Sequence, residues 1–126
     1  MSDREIMNAK FGVDDERSVV EILEKEYPVI YNGFTNIMEQ QLEIFAKKHL
    51  DYGLSNIAAG TLLSTKTERR FALTGIWYRI NDKVSRWKTL LMNKGKENNE
   101  PLTDTYQDIV NYAIIAQLID QGLWKK

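Results

Sequence analysis

Apolar positions along this chain recur mostly at intervals of three and four residues, which is the spacing of one face of an α-helix. On this basis we predict four main helices, over residues 18–26, 34–50, 68–93 and 104–121. For residues 54–66, which are small and mixed in character, we predict a loop with one helical turn or a flexible lid. Residues 94–101 form the clearest connector between helices. Strand signals are nearly absent, because no segment alternates polar and apolar residues long enough between turns. The predicted fold class is therefore all-α, a single-domain bundle of four main helices.

Glycine is expected to end two of the predicted helices, and an N-terminal arm precedes the first helix. Residues 1–13 show no helical period, so we predict a flexible N-terminal arm before a single helical domain of residues 14–126, which carries the candidate binding residues discussed below. The second helix is expected to begin after Gly33 and to end at Gly53, a left-handed C-cap. Gly122 is expected to close the last helix in the same way.

Each predicted helix carries an apolar stripe that is expected to face the core. In the first helix the stripe consists of Val19, Ile22 and Leu23. In the second helix it consists of Phe34, Met38, Leu42 and Phe45. The third helix carries the longest stripe, formed by Leu73, Ile76, Trp77, Ile80, Val84, Trp87 and Leu91. The last helix is apolar on almost every side over residues 109–119, which predicts burial on more than one side.

Composition and charge exclude several classes of protein. The 126 residues carry 17 Lys+Arg against 18 Asp+Glu, so there is no basic footprint for duplex nucleic acid or an anionic membrane. The absence of cysteine excludes a disulfide scaffold and a thiolate zinc site, and one His excludes a multi-His metal site. Without a secretory signal or a membrane-spanning stretch, we expect a soluble cytoplasmic protein. Any bound metal would use carboxylate oxygens, which favours Mg²⁺ or Mn²⁺.

Polar residues interrupt the otherwise apolar last helix. Asp104, Asp108 and Asn111 lie within about 60° of one another on the helical wheel. Carboxylates on a buried helix carry a desolvation cost unless a metal cation, or Lys and Arg side chains of a neighbouring helix, pair with them. Alternatively, Asp104 is a first-turn acid that interacts with the helix dipole, and Asp108 forms a salt bridge.

The third helix offers cations that complement these acids. Arg79, Lys83 and Arg86 span about 60° of its wheel beside the apolar stripe. Fixed cations that flank a buried seam are suited to phosphate oxygens, Arg as a fork and Lys as a point charge. Alternatively, Asp82 and Arg86 form an ordinary i, i+4 pair, and the other two cations are solvated.

Further candidate residues lie on the second helix and among the aromatic side chains. Glu39 and Glu43 lie one turn apart and can share a divalent ion, although Glu43 can equally pair with Lys47. Trp77, Trp87 and Tyr112 are expected in the core, or one of them stacks on a base. The sequence has no Gly-rich phosphate loop, so a polyphosphate site would depend on helical carboxylates and cations.

Three segments of the chain carry a family resemblance. They are Lys-His-Leu-Asp-Tyr-Gly at 48–53, Arg-Ile-Asn-Asp-Lys-Val-Ser-Arg at 79–86 and Asp-Thr-Tyr-Gln-Asp-Ile-Val-Asn-Tyr-Ala at 104–113. Together they resemble the nucleotide modification associated domain 1 family, small proteins common in bacteriophages. That family distantly resembles the all-α nucleoside triphosphate pyrophosphohydrolases of the MazG and dimeric dUTPase group, whose helical bundles hold Mg²⁺.

The resemblance implies a nucleotide-binding helical protein that acts as a Mg²⁺-dependent (or Mn²⁺-dependent) nucleoside triphosphate pyrophosphohydrolase. Glu43 and Asp108 would be catalytic. The metal ligands would be Glu39, Glu43, Asp82, Asp104 and Asp108. Phosphates would bind Arg79, Lys83 and Arg86. The rest of the nucleotide would contact Asp51, Tyr52, Asn111 and Tyr112.

The sequence departs from the pyrophosphohydrolase motifs at two points. Thr105 stands where the second acidic motif places Glu, and the spacing of Glu39 and Glu43 is four residues rather than three. The competing hypothesis is therefore a non-catalytic phage protein that sequesters a nucleotide or a nucleotide-derived immune signal in the host cytoplasm. A third interpretation is a structural module with solvated charged faces. For the nucleotide-binding hypotheses we expect a symmetric homo-oligomer, in which residues 54–70 help to complete the pocket of a second protomer.

Overall fold

The computed structural model describes residues 2–3, 5–6, 18–93 and 102–126. Within these ranges the chain is all-α and contains no strand, which confirms the predicted fold class. The described helices are α1 (Val19–Glu26), α2 (Pro28–Tyr52), α3 (Ser55–Ala58), α4 (Lys66–Met92) and α5 (Leu102–Asp120). None of these helices is both long enough and apolar enough to span a bilayer. The predicted connector over residues 94–101 lies outside the described residues.

The chain forms two compact units, residues 1–40 and residues 41–126, and α2 runs through the boundary. In the first unit, Ser18 caps α1 because its Oγ accepts a hydrogen bond from the Glu21 N–H at 3.2 Å. The apolar stripe predicted for α1 is half-buried along its length. Most of residues 1–13 lie outside the described residues, so the predicted arm stays a prediction.

Helix α2 begins six residues before the predicted start at residue 34. Pro28 is its first residue, a position where the missing proline N–H costs no helical hydrogen bond. Gly33 lies inside the helix and does not have a positive φ, so it does not break the helix as we predicted. Tyr27 separates α1 from α2, and its N–H donates to the Leu23 carbonyl at 2.8 Å.

The predicted helix ends at glycine are confirmed in the second unit. Gly53 follows α2 with φ +66°, and Gly122 follows α5 with φ +73°. Helix α3 is one turn inside the segment predicted as a loop with a helical turn. Helix α4 begins with a capping box, in which Thr65 Oγ1 accepts from the Glu68 N–H and Glu68 Oε1 accepts from the Thr65 N–H.

The core of the second unit lies where α4 packs against α5 and where α3 covers α4. Its buried apolar residues are Ile57, Ala58, Leu63, Ala72, Ile76, Ile115, Ile119 and Trp124. Gln41 is also buried, and its Nε2 donates to the Gln107 carbonyl at 3.0 Å, which ties α2 to α5.

Two predicted apolar stripes are only partly buried. On α2, Phe34, Met38 and Leu42 are exposed, whereas Phe45 is half-buried. On α4, Ile76 is buried, but Trp77, Val84 and Leu91 are exposed. The prediction that these stripes face the core as a whole is therefore wrong. On α4 the helices that pack against it cover the side of Ala72 and Ile76, which is only one edge of the predicted stripe.

Candidate functional site

The second unit contains a pocket of about 320 Å³ beside the C-terminal end of α2. Helix α2 contributes Phe45, Lys48, His49 and Tyr52 to its lining. Helix α5 contributes Asn111, Tyr112 and Ile115. The remaining lining residues are Gly53, Asn56, Ile57 and Trp124.

Local sequence explains how these residues reach one place. Phe45, His49 and Tyr52 are spaced by four and three positions, so they share one face of α2. The positive φ of Gly122 turns the chain after α5, and the Leu123 N–H donates to the Leu118 carbonyl at 2.7 Å. The tail then places Trp124 so that its Nε1–H donates to the Leu54 carbonyl at 3.1 Å.

Aromatic rings pack together at one side of the pocket. The Phe45 and His49 rings are stacked, with centroids 5.5 Å apart and planes 8° from parallel. Trp124 meets His49 edge to face at 5.0 Å and Phe45 at 6.3 Å. These three rings fix one another and offer flat apolar surface to a planar ligand.

Two polar atoms of the pocket-lining residues are buried without a hydrogen-bond partner in the described structure. They are Asn111 Oδ1 and His49 Nδ1. Asn111 is only 5% exposed, so water reaches little of its side chain. A buried polar atom without a partner costs about 1–3 kcal/mol. A ligand that supplies the missing hydrogen bonds would recover this free energy.

An ion triad adjoins the pocket. Lys48 Nζ lies 2.6 Å from Asp108 Oδ1, and Lys83 Nζ lies 2.8 Å from Asp108 Oδ2. Burial raises the pKa of the Asp108 carboxyl, but the hydrogen bonds and charges of the two lysines outweigh burial and lower that pKa below its ordinary value. Asp108 is therefore ionised at neutral pH, and it holds Lys48 at the edge of the pocket.

None of the three predicted phosphate-binding cations is a pocket-lining residue, although Lys83 and Arg79 contact residues at or beside the pocket. Lys83 binds Asp108, as described above. Arg79 Nη2 lies 3.4 Å from the carbonyl oxygen of Asn56, behind a lining residue. The exposed Arg86 Nε lies 3.6 Å from Asp82 Oδ2, which is the i, i+4 pair that the sequence left open.

The predicted metal ligands do not gather in the part of the chain that the structure describes, where no three acidic or histidine side chains could hold an ion. Glu43 pairs with Lys47 at 3.1 Å, and Asp104 is exposed. Glu39 is exposed and belongs to the first unit. Since both oxygens of Asp108 bind lysines, these carboxylates as placed do not form a magnesium cage. The predicted Mg²⁺ stays a prediction, and we derive no step through it.

Three of the four predicted nucleotide-contacting residues line the pocket. They are Tyr52, Asn111 and Tyr112, whereas Asp51 is exposed and lies outside the lining. Thr105, which stands in place of a motif glutamate, is fully buried. The structure thus brings Asn111, Tyr52 and Tyr112 together at the pocket, and Asp51 is not part of its lining.

Sequence reasoning did not assign to the pocket four lining residues with aromatic or charged side chains. They are Phe45, Lys48, His49 and Trp124. The shared face of Phe45, His49 and Tyr52 was visible as a spacing of four and three, but we assigned Phe45 to the core stripe. Trp124 had one signal, because it is an aromatic residue two positions after the helix-closing Gly122. Lys48 and His49 stand in the family-like segment 48–53, but that segment did not indicate the partner of Lys48, because Asp108 lies 60 residues away along the chain.

Comparison with known proteins places the chain in a family. The family model described as nucleotide modification associated domain 1 matches residues 48–120, which is more than half of the chain. The chain therefore belongs to this family. The matched segment includes Lys48, His49, Asp108 and Asn111, and it ends before Trp124. No curated protein and no solved structure gives a significant match.

Proposed function

We propose that the second unit is a nucleotide-binding module, and that its pocket holds the base and sugar of one nucleotide. Ligand pockets usually measure about 300–1,000 Å³, so a pocket of about 320 Å³ suits a nucleoside or a mononucleotide rather than a larger molecule. Membership of a nucleotide-associated family supports a ligand of this chemical class.

The observation that carries the proposal is the pair of unpartnered polar atoms beside aromatic rings. Nucleobases present N–H groups at their edges, and Asn111 Oδ1 is an acceptor that lacks a donor. His49 Nδ1 accepts or donates, depending on the tautomer of the ring. Stacking of a base on an aromatic ring contributes about 1–3 kcal/mol, and the Phe45, His49 and Trp124 rings supply the surface.

The charge of the ion triad suits the phosphate end of the ligand. Two ammonium groups and one carboxylate leave a single positive charge beside the pocket. Lys48 directs one of its three N–H groups to Asp108, and its side chain is 45% exposed. A phosphate oxygen at the pocket edge can accept another of these N–H groups.

The same geometry favours binding without turnover over hydrolysis. Metal-dependent hydrolysis needs carboxylate oxygens that are available to the metal, and both oxygens of Asp108 bind lysines. We therefore propose that the protein retains and sequesters its nucleotide unchanged. Pyrophosphohydrolysis with Mg²⁺ is the second candidate function, and the experiment below distinguishes the two.

The deciding experiment uses a panel of nucleosides, mononucleotides and triphosphates. Each is incubated with the purified full chain, with and without Mg²⁺, and filtered to separate bound from unbound ligand. Depletion of one class followed by its intact recovery after denaturation supports sequestration. New product peaks on ion-exchange chromatography support hydrolysis. A panel with neither depletion nor products contradicts the proposal.

Two neighbouring lysines provide a matched test of the phosphate contact. Lys48→Ala removes the ammonium group at the pocket edge, whereas Lys47→Ala removes one that is exposed and pairs with Glu43. A hydrogen bond to a charged group is worth about 1.5–3 kcal/mol, so Lys48→Ala should weaken mononucleotide binding roughly 10- to 100-fold by calorimetry. Lys47→Ala should leave the affinity unchanged. Equal effects of the two variants would contradict the assignment of Lys48.

A further inference from the structure

Helix α4 is strongly basic, although the chain as a whole is not. Seven of the 17 Lys and Arg residues lie on this helix, but only two of the 18 Asp and Glu residues do, Glu68 and Asp82. The seven cations are Lys66, Arg69, Arg70, Arg79, Lys83, Arg86 and Lys88. Because the formal net charge of the whole chain is −1, the positive charge of α4 is a local feature that the overall composition hides.

Four of the seven cations have partners within the chain. Arg69 Nη1 donates to the Leu63 carbonyl at 3.0 Å, beside the N-terminal end of α4. The partners of Arg79, Lys83 and Arg86 are described above. These four side chains are therefore explained by the fold.

The other three cations, Lys66, Arg70 and Lys88, are exposed and lie along one line of α4. They fall within about 40° of one another on the helical wheel and span roughly 33 Å of helix. In the part of the chain that the structure describes, their side chains have no hydrogen-bond or ion-pair partner. Lys66 and Arg70 are also a like-charge i, i+4 pair, which destabilises a helix slightly. The line is therefore not arranged for the stability of α4, and it suits an external polyanion.

Exposed aromatic side chains accompany this line of cations. Trp77 lies between Arg70 and Lys88 along the helix and within about 20° of both on the wheel. Tyr78 and Phe71 lie about 20° apart on the neighbouring edge. Trp77, Tyr78 and Phe71 are 59%, 64% and 69% exposed. The Trp77 and Tyr78 rings meet edge to face, with centroids 5.0 Å apart, so flat ring surface stays open to solvent.

The combination of unpaired cations and exposed rings selects one class of partner. Proteins that bind single-stranded nucleic acids use cations along the phosphate backbone and aromatic rings on which unpaired bases stack. A double helix does not suit this surface, because its bases are already stacked on one another. An apolar protein surface does not suit it either, because it would bury Arg70 and Lys88 without partners.

We propose that this surface, which consists of Lys66, Arg70, Trp77, Tyr78 and Lys88 and which we call the α4 strip, binds a single-stranded polynucleotide. The three cations contact phosphates, and bases stack on the two rings. The binding is separate from that of the pocket, because none of these five residues belongs to the pocket lining.

Fluorescence anisotropy with a labelled oligothymidylate tests the proposal on the full chain. The strand should bind saturably, and a blunt duplex of the same length should bind at least about tenfold more weakly. Three phosphate contacts should make the logarithm of the binding constant fall against the logarithm of the salt concentration with a slope of about −2. Inorganic polyphosphate has the charge but no bases, so it should compete poorly. No strand binding, equal binding of the duplex, or equally effective polyphosphate would overturn the proposal.

Matched variants separate stacking from charge. Trp77→Ala should weaken strand binding roughly 5- to 150-fold, which corresponds to the loss of one stacked base. Tyr27→Ala is its control, because Tyr27 is also 59% exposed but lies outside α4. Lys88→Gln should make the salt slope shallower by about 0.7, whereas Lys47→Gln removes a cation that pairs with Glu43 and should leave the slope unchanged. Strand binding that responds to neither α4 variant, or equally to the controls, would contradict the assignment.

A competition experiment separates the α4 strip from the pocket. The last nucleotide of a strand can enter a nucleotide pocket, so the titration is repeated with a large excess of each mononucleotide. The strand affinity should stay unchanged, and it should also stay unchanged in the Lys48→Ala variant. Displacement of the strand by a mononucleotide, or its loss in Lys48→Ala, would assign the strand to the pocket and overturn the proposal. The strand titration itself does not require that the pocket bind a nucleotide.

Discussion

The sequence allowed two partners for the Asp108 carboxylate, a metal ion or the cations of a neighbouring helix, and the structure shows two lysines. The prediction came from the shared face of Asp104, Asp108 and Asn111 on the last helix, where a buried carboxylate needs a partner. Lys83 of α4 is such a cation, and its position was within reach of sequence reasoning. Lys48 was not, because its distance from Asp108 depends on how α2 crosses α5 in space.

The ion triad predicts a pH-dependent stability at the residue scale. Because the lysines lower the pKa of Asp108 in the folded state, its contribution is present above the ordinary carboxyl pKa of about 3.9 and is lost as the pH falls through the lowered folded value. Asp108→Asn should reduce the free energy of unfolding at pH 7 by about 2 kcal/mol, since two charged hydrogen bonds lose their ionised acceptor. Urea unfolding at several pH values measures this difference.

The difference between wild type and Asp108→Asn should shrink below about pH 4. Asp104→Asn serves as the control, because this carboxylate lies one turn earlier on the same helix and is exposed. It should change stability by less than about 0.5 kcal/mol at any pH. A difference for Asp108→Asn that is constant across the pH range would contradict the ionised triad.

At the scale of elements, the sequence predicts where helices end better than where they begin. Gly53 and Gly122 adopt the left-handed conformation that we predicted for them, because few other residues adopt it without strain. The start of α2 was wrong because Gly33 was interpreted as a break. A glycine lowers helix propensity by about 1 kcal/mol, which a helix of 25 residues tolerates.

Substitution by alanine should change the free energy of unfolding in opposite directions at Gly53 and at Gly75. Gly53→Ala forces a Cβ into a left-handed residue and should lower the free energy of unfolding by about 1 kcal/mol. Gly75→Ala lies inside α4, where the new Cβ would lie 3.5 Å from Arg79 Nη1, an ordinary contact. It should raise stability by about 0.5–1 kcal/mol. Thermal unfolding measures both, and the same sign for both variants would contradict this account.

At the scale of the whole molecule, periodicity predicts which residues are helical but not which apolar residues are covered. Seven-residue spacing links Trp77, Val84 and Leu91 as clearly as it links any core stripe. Their exposure follows from the number of helices that pack on α4, which no local pattern encodes. The same limit explains why the pocket was only partly predicted: Asn111 and Tyr52 carry local signals, whereas Trp124 reaches the pocket through the fold of the tail.

The central claim is that a nucleotide binds beside the aromatic rings at the end of α2. Titration of the isotope-labelled protein with the tightest ligand of the panel, followed by NMR, tests it most directly. The Trp124 indole and the His49 ring should shift saturably with the same affinity. The Trp77 indole, which lies outside the pocket lining, should stay in place as an internal reference. Saturable shifts that spare Trp124 and His49 would contradict the claim.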